Sequence, residues 1–203
     1  MSIYVIRHGE TASNAARVVQ TPDIPLNARG LEQAGRLAAR LADHRIALVL
    51  SSDADRARMT AEVVAARVGA PLEIDPDLQE RSFGDIRGRA YAELGFDLFA
   101  PDYAPPAGET WDAFHARVDR VWDRVVARRA ALCGTLAVVT HGLVCRSLAA
   151  RHLGLDEDRR AGARTFHNTS LTVVEPRAPF AVAELDCCAH LDEDAAPRGI
   201  AGI

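Results

Sequence analysis

Three short runs of the chain are apolar at every position, and each stops abruptly at polar residues. Ile3-Tyr4-Val5-Ile6 stops at Arg7-His8-Gly9, Ala47-Leu48-Val49-Leu50 at Ser51-Ser52, and Leu136-Ala137-Val138-Val139 at Thr140-His141-Gly142. Unbroken β-branched and aliphatic runs of this length predict strands buried on both faces. Leu72-Glu73-Ile74 predicts a shorter strand, and residues 170–174 and 180–185 predict two more. Between them the apolar period changes to that of a helix. Asn27 is a candidate N-cap for a helix to about Asp43, with Leu31, Ala34, Leu37, Ala38 and Leu41 on its buried face. A second helix is expected over 55–68, stopped by Gly69 and Pro71. Thr110 caps a third, to about Leu132, whose core stripe is Trp111, Phe114, Val118, Val121, Val125 and Ala131. A fourth spans 143–153. The remainder reads as loops (18–26 and 75–89), a weak helix opening a Pro-rich connection over 90–108, and a polar tail. Strands alternating with helices predict an α/β fold, a mainly parallel sheet covered on both faces. No repeat or linker divides the chain, so residues 1–203 are expected to form one domain, with 86–108 as a short lid-like insertion.

Composition narrows this picture only in part. With 203 residues, 48% apolar and 26% charged, the chain is of the size and balance of one globular domain. No apolar run approaches the roughly 20 residues of a membrane helix, and the opening strand has no basic region before it, so neither membrane nor signal peptide is expected. A net charge of −4 argues against nucleic acid as a partner. Cys133, Cys145, Cys187 and Cys188 lack metal-ligand spacing and read as reduced thiols of a cytoplasmic protein. All 24 basic residues are arginines. The absence of lysine excludes a P-loop lysine, a lysine Schiff base and a lysine general base.

The polar stops carry the candidate chemistry. Ligand sites in open α/β sheets lie outside the carboxyl ends of strands, which is where Arg7, His8, Ser51-Ser52 leading to Arg56, and His141 are expected. Two arginines and two histidines there suit a phosphoryl group. The guanidinium fork binds two phosphate oxygens at once and stays charged, and imidazole is a nucleophile near neutral pH. Glu80, in the loop after the third strand, could protonate a leaving oxygen. Arg58 stands close to Arg56, but the spacing favours Arg56. His44, His115, His152 and His190 read as structural, and His167 as a strand-edge residue.

Arg7-His8-Gly9-Glu10-Thr11 with Asn14, Ser51-Ser52 with Arg56-Ala57 and Thr60-Ala61, Leu78-Gln79-Glu80 with Phe83-Gly84, and Thr140-His141-Gly142 resemble, in order, the blocks of the histidine phosphatase superfamily. That group includes phosphoglycerate mutases and many small-molecule phosphatases. The resemblance implies a phosphoglycerate mutase-like three-layer α/β/α sandwich and covalent catalysis. His8 would be phosphorylated. Arg7, Arg56 and a protonated His141, helped by Asn14 and by Thr21 and Gly142, would hold phosphoryl oxygens, and Glu80 would act as acid and then base. No metal or other cofactor is implied. The partner would be a small phosphorylated metabolite, and a homodimer is common among such proteins.

Thr21, Asn27 and Asp53 depart from the glycine, threonine and proline usual at these points, none touching the charged residues. A phosphatase is expected over a cofactor-dependent phosphoglycerate mutase, because mutases use extra arginines and a lysine in a longer insertion, whereas residues 86–108 are short and acidic (Asp97, Asp102). A metal-dependent hydrolase built on His8, His141, Glu80 and His167 is disfavoured by the adjacent arginines. A non-catalytic phospholigand-binding protein would be expected to lack a reactive group. Tyr91, Leu94, Phe96, Phe99 and Tyr103 suggest a partly apolar alcohol on the substrate.

Overall fold

A computed structural model describes residues 1–191; the polar tail lies outside the described residues. The strands are β1 (Ile3–Arg7), β2 (Ile46–Ser51), β3 (Leu72–Ile74), β4 (Thr135–Thr140), β5 (Leu171–Val174) and β6 (Val182–Cys187). They form one sheet in the order β3-β2-β4-β1-β5-β6. The pairs β2–β3, β2–β4 and β1–β4 are parallel, and β1–β5 and β5–β6 antiparallel. The helices are α1 (Ala12–Ala16), α2 (Ala28–Leu41), α3 (Asp55–Val68), α4 (Trp111–Ala130), α5 (Gly142–Arg151) and α6 (Glu157–Gly162).

Alternation along each strand assigns the layers. Ile3 and Val5 of β1, Leu48 and Leu50 of β2, and Leu136 and Val138 of β4 face Phe114, Val118, Val121 and Val125 of α4 and Val144 and Leu148 of α5. Tyr4 and Ile6, Val49, and Ala137 and Val139 face the other way, onto Leu37, Ala38 and Leu41 of α2 and Ala57, Ala61 and Val64 of α3. Each such aliphatic side chain taken out of water contributes about 1.5–3 kcal/mol, so a strand buried on both faces must be apolar throughout. That is why β1, β2 and β4 read as unbroken runs. Among the described residues, no helix is long and apolar enough to cross a membrane, and the four cysteines are unbonded.

Several boundaries and faces differ from the sequence reading. Leu31 is 44% exposed; Gly30 and Gln33 take the buried positions of that turn, where α2 meets Glu10. On α4, Ala131 is exposed and Trp122 and Arg129 are buried instead, with Trp122 packed edge-on against Phe180. The last strand begins at Val182 rather than residue 180, because Phe180 takes a left-handed φ of 57° that a strand cannot hold. The weak helix after residue 90 is a single 3-10 turn, Tyr91–Glu93. Leu94 and Leu98 are buried in the core, with Tyr91, Phe99 and Tyr103 packed against it. Most of the lid's apolar residues are therefore spent on the fold. Two short helices escaped the apolar period: α1, closed by a Thr11–Asn14 capping box, and α6, capped by Asp156.

Asn27 caps α2 through the Gly30 N–H at 2.7 Å and also donates to Glu10 Oε1 at 2.9 Å. This draws α2 so close to the loop after β1 that a Cβ on Gly30 would lie 2.1 Å from Glu10 O, and one on Gly9 2.7 Å from Gly30 O. Gly9 is required by this approach rather than by its backbone angles. The expected outcome for Gly30→Ala is a loss of about 1–3 kcal/mol through overpacking, read as a Tm lowered by several degrees, whereas Gly35→Ala, with open space around it, should not lower it.

Candidate active site

The parallel pairing of β1 with β4 sets Arg7 opposite Thr140, and the His8 N–H extends the ladder to Thr140 O at 2.9 Å. His8 and His141 therefore leave adjacent strands side by side, with ring centroids 5.2 Å apart. The chain turns toward β2 after β1 and away from it after β4, so the two imidazoles stand where ligand crevices form in such sheets. Both are buried, at 1% and 0% exposure.

His8 Nδ1 donates to Gly9 O at 2.7 Å. Arg56 Nε, which can only donate, lies 3.3 Å from Nε2. The two bonds together fix the tautomer with the proton on Nδ1 and the lone pair on Nε2. Arg56 also donates to Thr21 O at 2.9 Å, so Thr21 enters the site through its carbonyl. Thr60, one turn along α3, accepts from the Gly9 N–H at 3.0 Å and donates to Arg56 O at 2.7 Å. Arg58, by contrast, turns outward to Asp55 and Glu62.

Arg7 donates through Nη1 to Phe166 O. Gly142 opens α5 against the guanidinium: a Cβ there would sit 3.5 Å from Arg7 Cζ. Glu80 meets the same helix terminus. Its Oε2 accepts from the Leu143 N–H at 3.0 Å and its Oε1 from the Arg81 N–H at 3.0 Å. Asn14 accepts through Oδ1 from the Thr11 N–H, and Asn168 Nδ2 lies 3.5 Å from the same oxygen. Arg7, His8, Arg56, Glu80, His141, Thr21 and Gly142 thus converge, with Asn14 at the edge.

Three contributors had no role assigned to them from the sequence. Ser52 Oγ lies 2.9 Å from His141 Nε2. Arg117 of α4 donates to Asp77 O and Gln79 O at 2.6 and 2.8 Å and pairs with Glu109, so it holds the loop that carries Glu80. Asn168 donates to His8 O at 2.9 Å. Ser52 was signalled by its place in the block with Arg56 and Thr60, whereas Arg117 offered no signal. Of the remaining histidines, His167 pairs with Asp186 at 2.5 Å, His44 with the Tyr4 hydroxyl, His115 with Ser147 and His152 with Asp119.

The charges set the protonation states. Burial, then the Arg56 and Arg7 charges, pushes His8 well below the ordinary imidazole value. Burial, then Arg56, His8 and Arg7, does the same to His141, so both rings are neutral at neutral pH. The protonated His141 implied by the resemblance is not what this arrangement favours, because two buried guanidiniums already surround it. Burial raises Glu80, opposed by its two backbone donors and by Arg56 and Arg7. Burial also lowers Arg56 to about 10, with Glu80 opposing and Arg7 and Arg87 adding to the drop. Arg7 Nε and His141 Nδ1 are buried without a hydrogen-bond partner among the described residues. Such atoms cost about 1–3 kcal/mol each, and an oxyanion between the strand ends would satisfy them. Inorganic phosphate is therefore expected to bind and raise Tm, by an amount equivalent to about 2.7 kcal/mol at 100 times Kd, and Arg56→Ala to abolish the shift; calorimetry with and without phosphate reads both.

A model of the histidine phosphatase superfamily (branch 1) matches residues 3–183. Phosphoglycerate mutase-like protein 4 of Arabidopsis thaliana is 38% identical over 167 residues, covering 73% of this chain and 70% of its own. The adenosylcobalamin/alpha-ribazole phosphatase of Escherichia coli (strain K12) is 34% identical over 165 residues, covering 76% and 80%. Among solved structures, Bacillus stearothermophilus YhfR superposes with a TM-score of 0.81 at 30% identity, over 93% of this chain and 98% of that one.

Proposed function

Since this chain belongs to the histidine phosphatase superfamily (branch 1) and is an enzyme of that type, we propose that it is a metal-independent phosphomonoesterase working through a phosphohistidine on His8. The observation that carries the reading is the fixed His8 tautomer. Nδ1–H is held by Gly9 O and Nε2 points its lone pair at Arg56, so an incoming phosphoryl oxygen can take over Arg56 and leave Nε2 free to attack.

Nε2 forms the P–N bond as the P–O bond to the alcohol breaks, and Glu80, whose raised pKa favours its acid form, gives the alkoxide its proton. Water then attacks phosphorus, losing a proton to Glu80, and the P–N bond breaks to return neutral His8 and inorganic phosphate. Arg7, Arg56 and the N–H groups opening α5 offset the charge on the non-bridging oxygens. Once that dianion sits between the strands, it draws His141 toward its protonated form, opposing the arginines that hold it neutral here. Asn14, Thr21 and Gly142 border the phosphoryl position, and residues 86–108 lie over the leaving group.

The substrate class is a small phosphomonoester. The names of the plant and Escherichia coli relatives divide between mutase-like and phosphatase. Hydrolysis is favoured because the insertion over 86–108 is short and the chain contains no lysine. Efficient formation of 2-phosphoglycerate from 3-phosphoglycerate and 2,3-bisphosphoglycerate would overturn that choice in favour of a mutase.

With a generic phosphomonoester, His8→Ala should reduce turnover to background and Glu80→Gln should lower kcat about 10²–10⁴-fold, while exhaustive chelation should leave the rate unchanged. Because His8 titrates well below 6.5, its neutral form persists under mild acid, so activity should hold below pH 6.5. Because the acid form of Glu80 is needed, kcat should fall as pH rises through its raised value, and Glu80→Gln should lose that limb.

A further inference from the structure

The cleft beside Glu80 has a cavity volume of about 20 Å³, opens to solvent, and is walled by Gln20, Pro22, Ala54, Arg56, Gln79, Glu80, Arg81, Phe83 and Arg87, of which Arg87 has no role in the chemistry above. Its three guanidiniums differ in what they are already doing. Arg56 is committed to His8 and Thr21 O. Arg81 is clamped by Glu109 O and Tyr103 O and stacked over Trp111, 3.9 Å from the ring centroid. Arg87 is half-buried, and its one hydrogen bond among the described residues is from Nη2 to the Ser82 hydroxyl at 3.2 Å. Glu109, which accepts from the Ser82 N–H, is paired with Arg117. Arg87 therefore lines the cleft with no carboxylate paired to it among the described residues, and its charge lowers the pKa of Arg56.

We propose that Arg87 is a specificity residue that receives a second anionic group, a carboxylate or a second phosphate, on the alcohol portion of the substrate. The inference rests on the phosphomonoesterase reading. With the scissile phosphoryl at His8, the bridging oxygen must lie toward Glu80, and the alcohol continues into this cleft. An uncharged alcohol would leave Arg87 with only a hydroxyl. A doubly anionic substrate pairs it and relieves its repulsion with Arg56, a gain concentrated in a partly dehydrated wall where charge-assisted hydrogen bonds are strongest. The half-burial matters: a fully exposed arginine would be screened and would select weakly.

Matched substrate pairs test this. The ratio of kcat/KM for 3-phosphoglycerate over glycerol 3-phosphate isolates the carboxylate, and fructose 1,6-bisphosphate over fructose 6-phosphate isolates the second phosphate. In at least one pair the native enzyme should favour the doubly anionic member about tenfold or more, the loss expected when a hydrogen bond to a charged group is missing. Arg87→Gln should bring that ratio close to one and Arg87→Lys should keep part of it. Arg89→Gln, a neighbour that turns outward to Glu93 O, should leave it as in the native enzyme. Ratios near one in both pairs, or a preference that survives Arg87→Gln, would overturn the inference while leaving a phosphatase. Failure to hydrolyse p-nitrophenyl phosphate as well would overturn the phosphatase reading and this inference with it.

Discussion

The rest of the site depends on the register between β1 and β4. Pairing Arg7 with Thr140 puts two histidines at the same height on adjacent strands. A slip of one residue would turn every side chain of β1 to the opposite face. The slip is prevented by the core: Ile3 and Val5 belong to the layer under α4 and α5, Tyr4 and Ile6 to the layer under α2 and α3. The hydrophobic interior thus sets the distance between two reactive rings that themselves contribute nothing apolar.

Around that pair the protein assembles positive charge at a stability cost. Arg7 and Arg56 are almost fully buried, both are pushed down by burial, and the Arg7 charge lowers Arg56 further. Glu80 is half-buried, and its carboxyl group is turned to the Leu143 and Arg81 N–H groups rather than to either guanidinium. The arginines are consequently held by carbonyls, Phe166 O and Thr21 O, which fix their positions without neutralising them. Such a site is electrostatically incomplete alone and complementary to an oxyanion. It also explains why both imidazoles are neutral here: the anion, not the fold, supplies the reason to protonate His141.

Much of this was legible in the sequence because the strongest constraints are local. A strand buried on both faces must be apolar at each position, so β1, β2 and β4 announced themselves, and their polar stops marked the sheet edge. Asn27 and Thr110 act as the caps the sequence suggested, since capping needs only a side chain and a backbone three residues on. What escaped depends on distant partners. Arg117 lies mid-helix and reads as a solvated residue until the loop 77–80 folds onto it. Ser52 looked like a mere approach to Arg56 but orients His141. The aromatic residues of 91–103 suggested a partly apolar alcohol on the substrate; in the fold Tyr91, Phe99 and Tyr103 pack partly buried against the core, and Phe96 is exposed. Leu31 was placed on the buried face by its spacing alone, although the close approach of α2 to Glu10 admits only Gly30 there.

The account turns on His8 carrying the phosphoryl group between two chemical steps. Rapid acid-free quenching during turnover of a phosphomonoester, followed by peptide mass analysis, measures this directly. The account predicts a single acid-labile, base-stable phosphoryl adduct on His8, which accumulates when Glu80→Gln slows its hydrolysis more than its formation. Inversion of configuration at phosphorus, with no adduct on His8 in either protein, would contradict it.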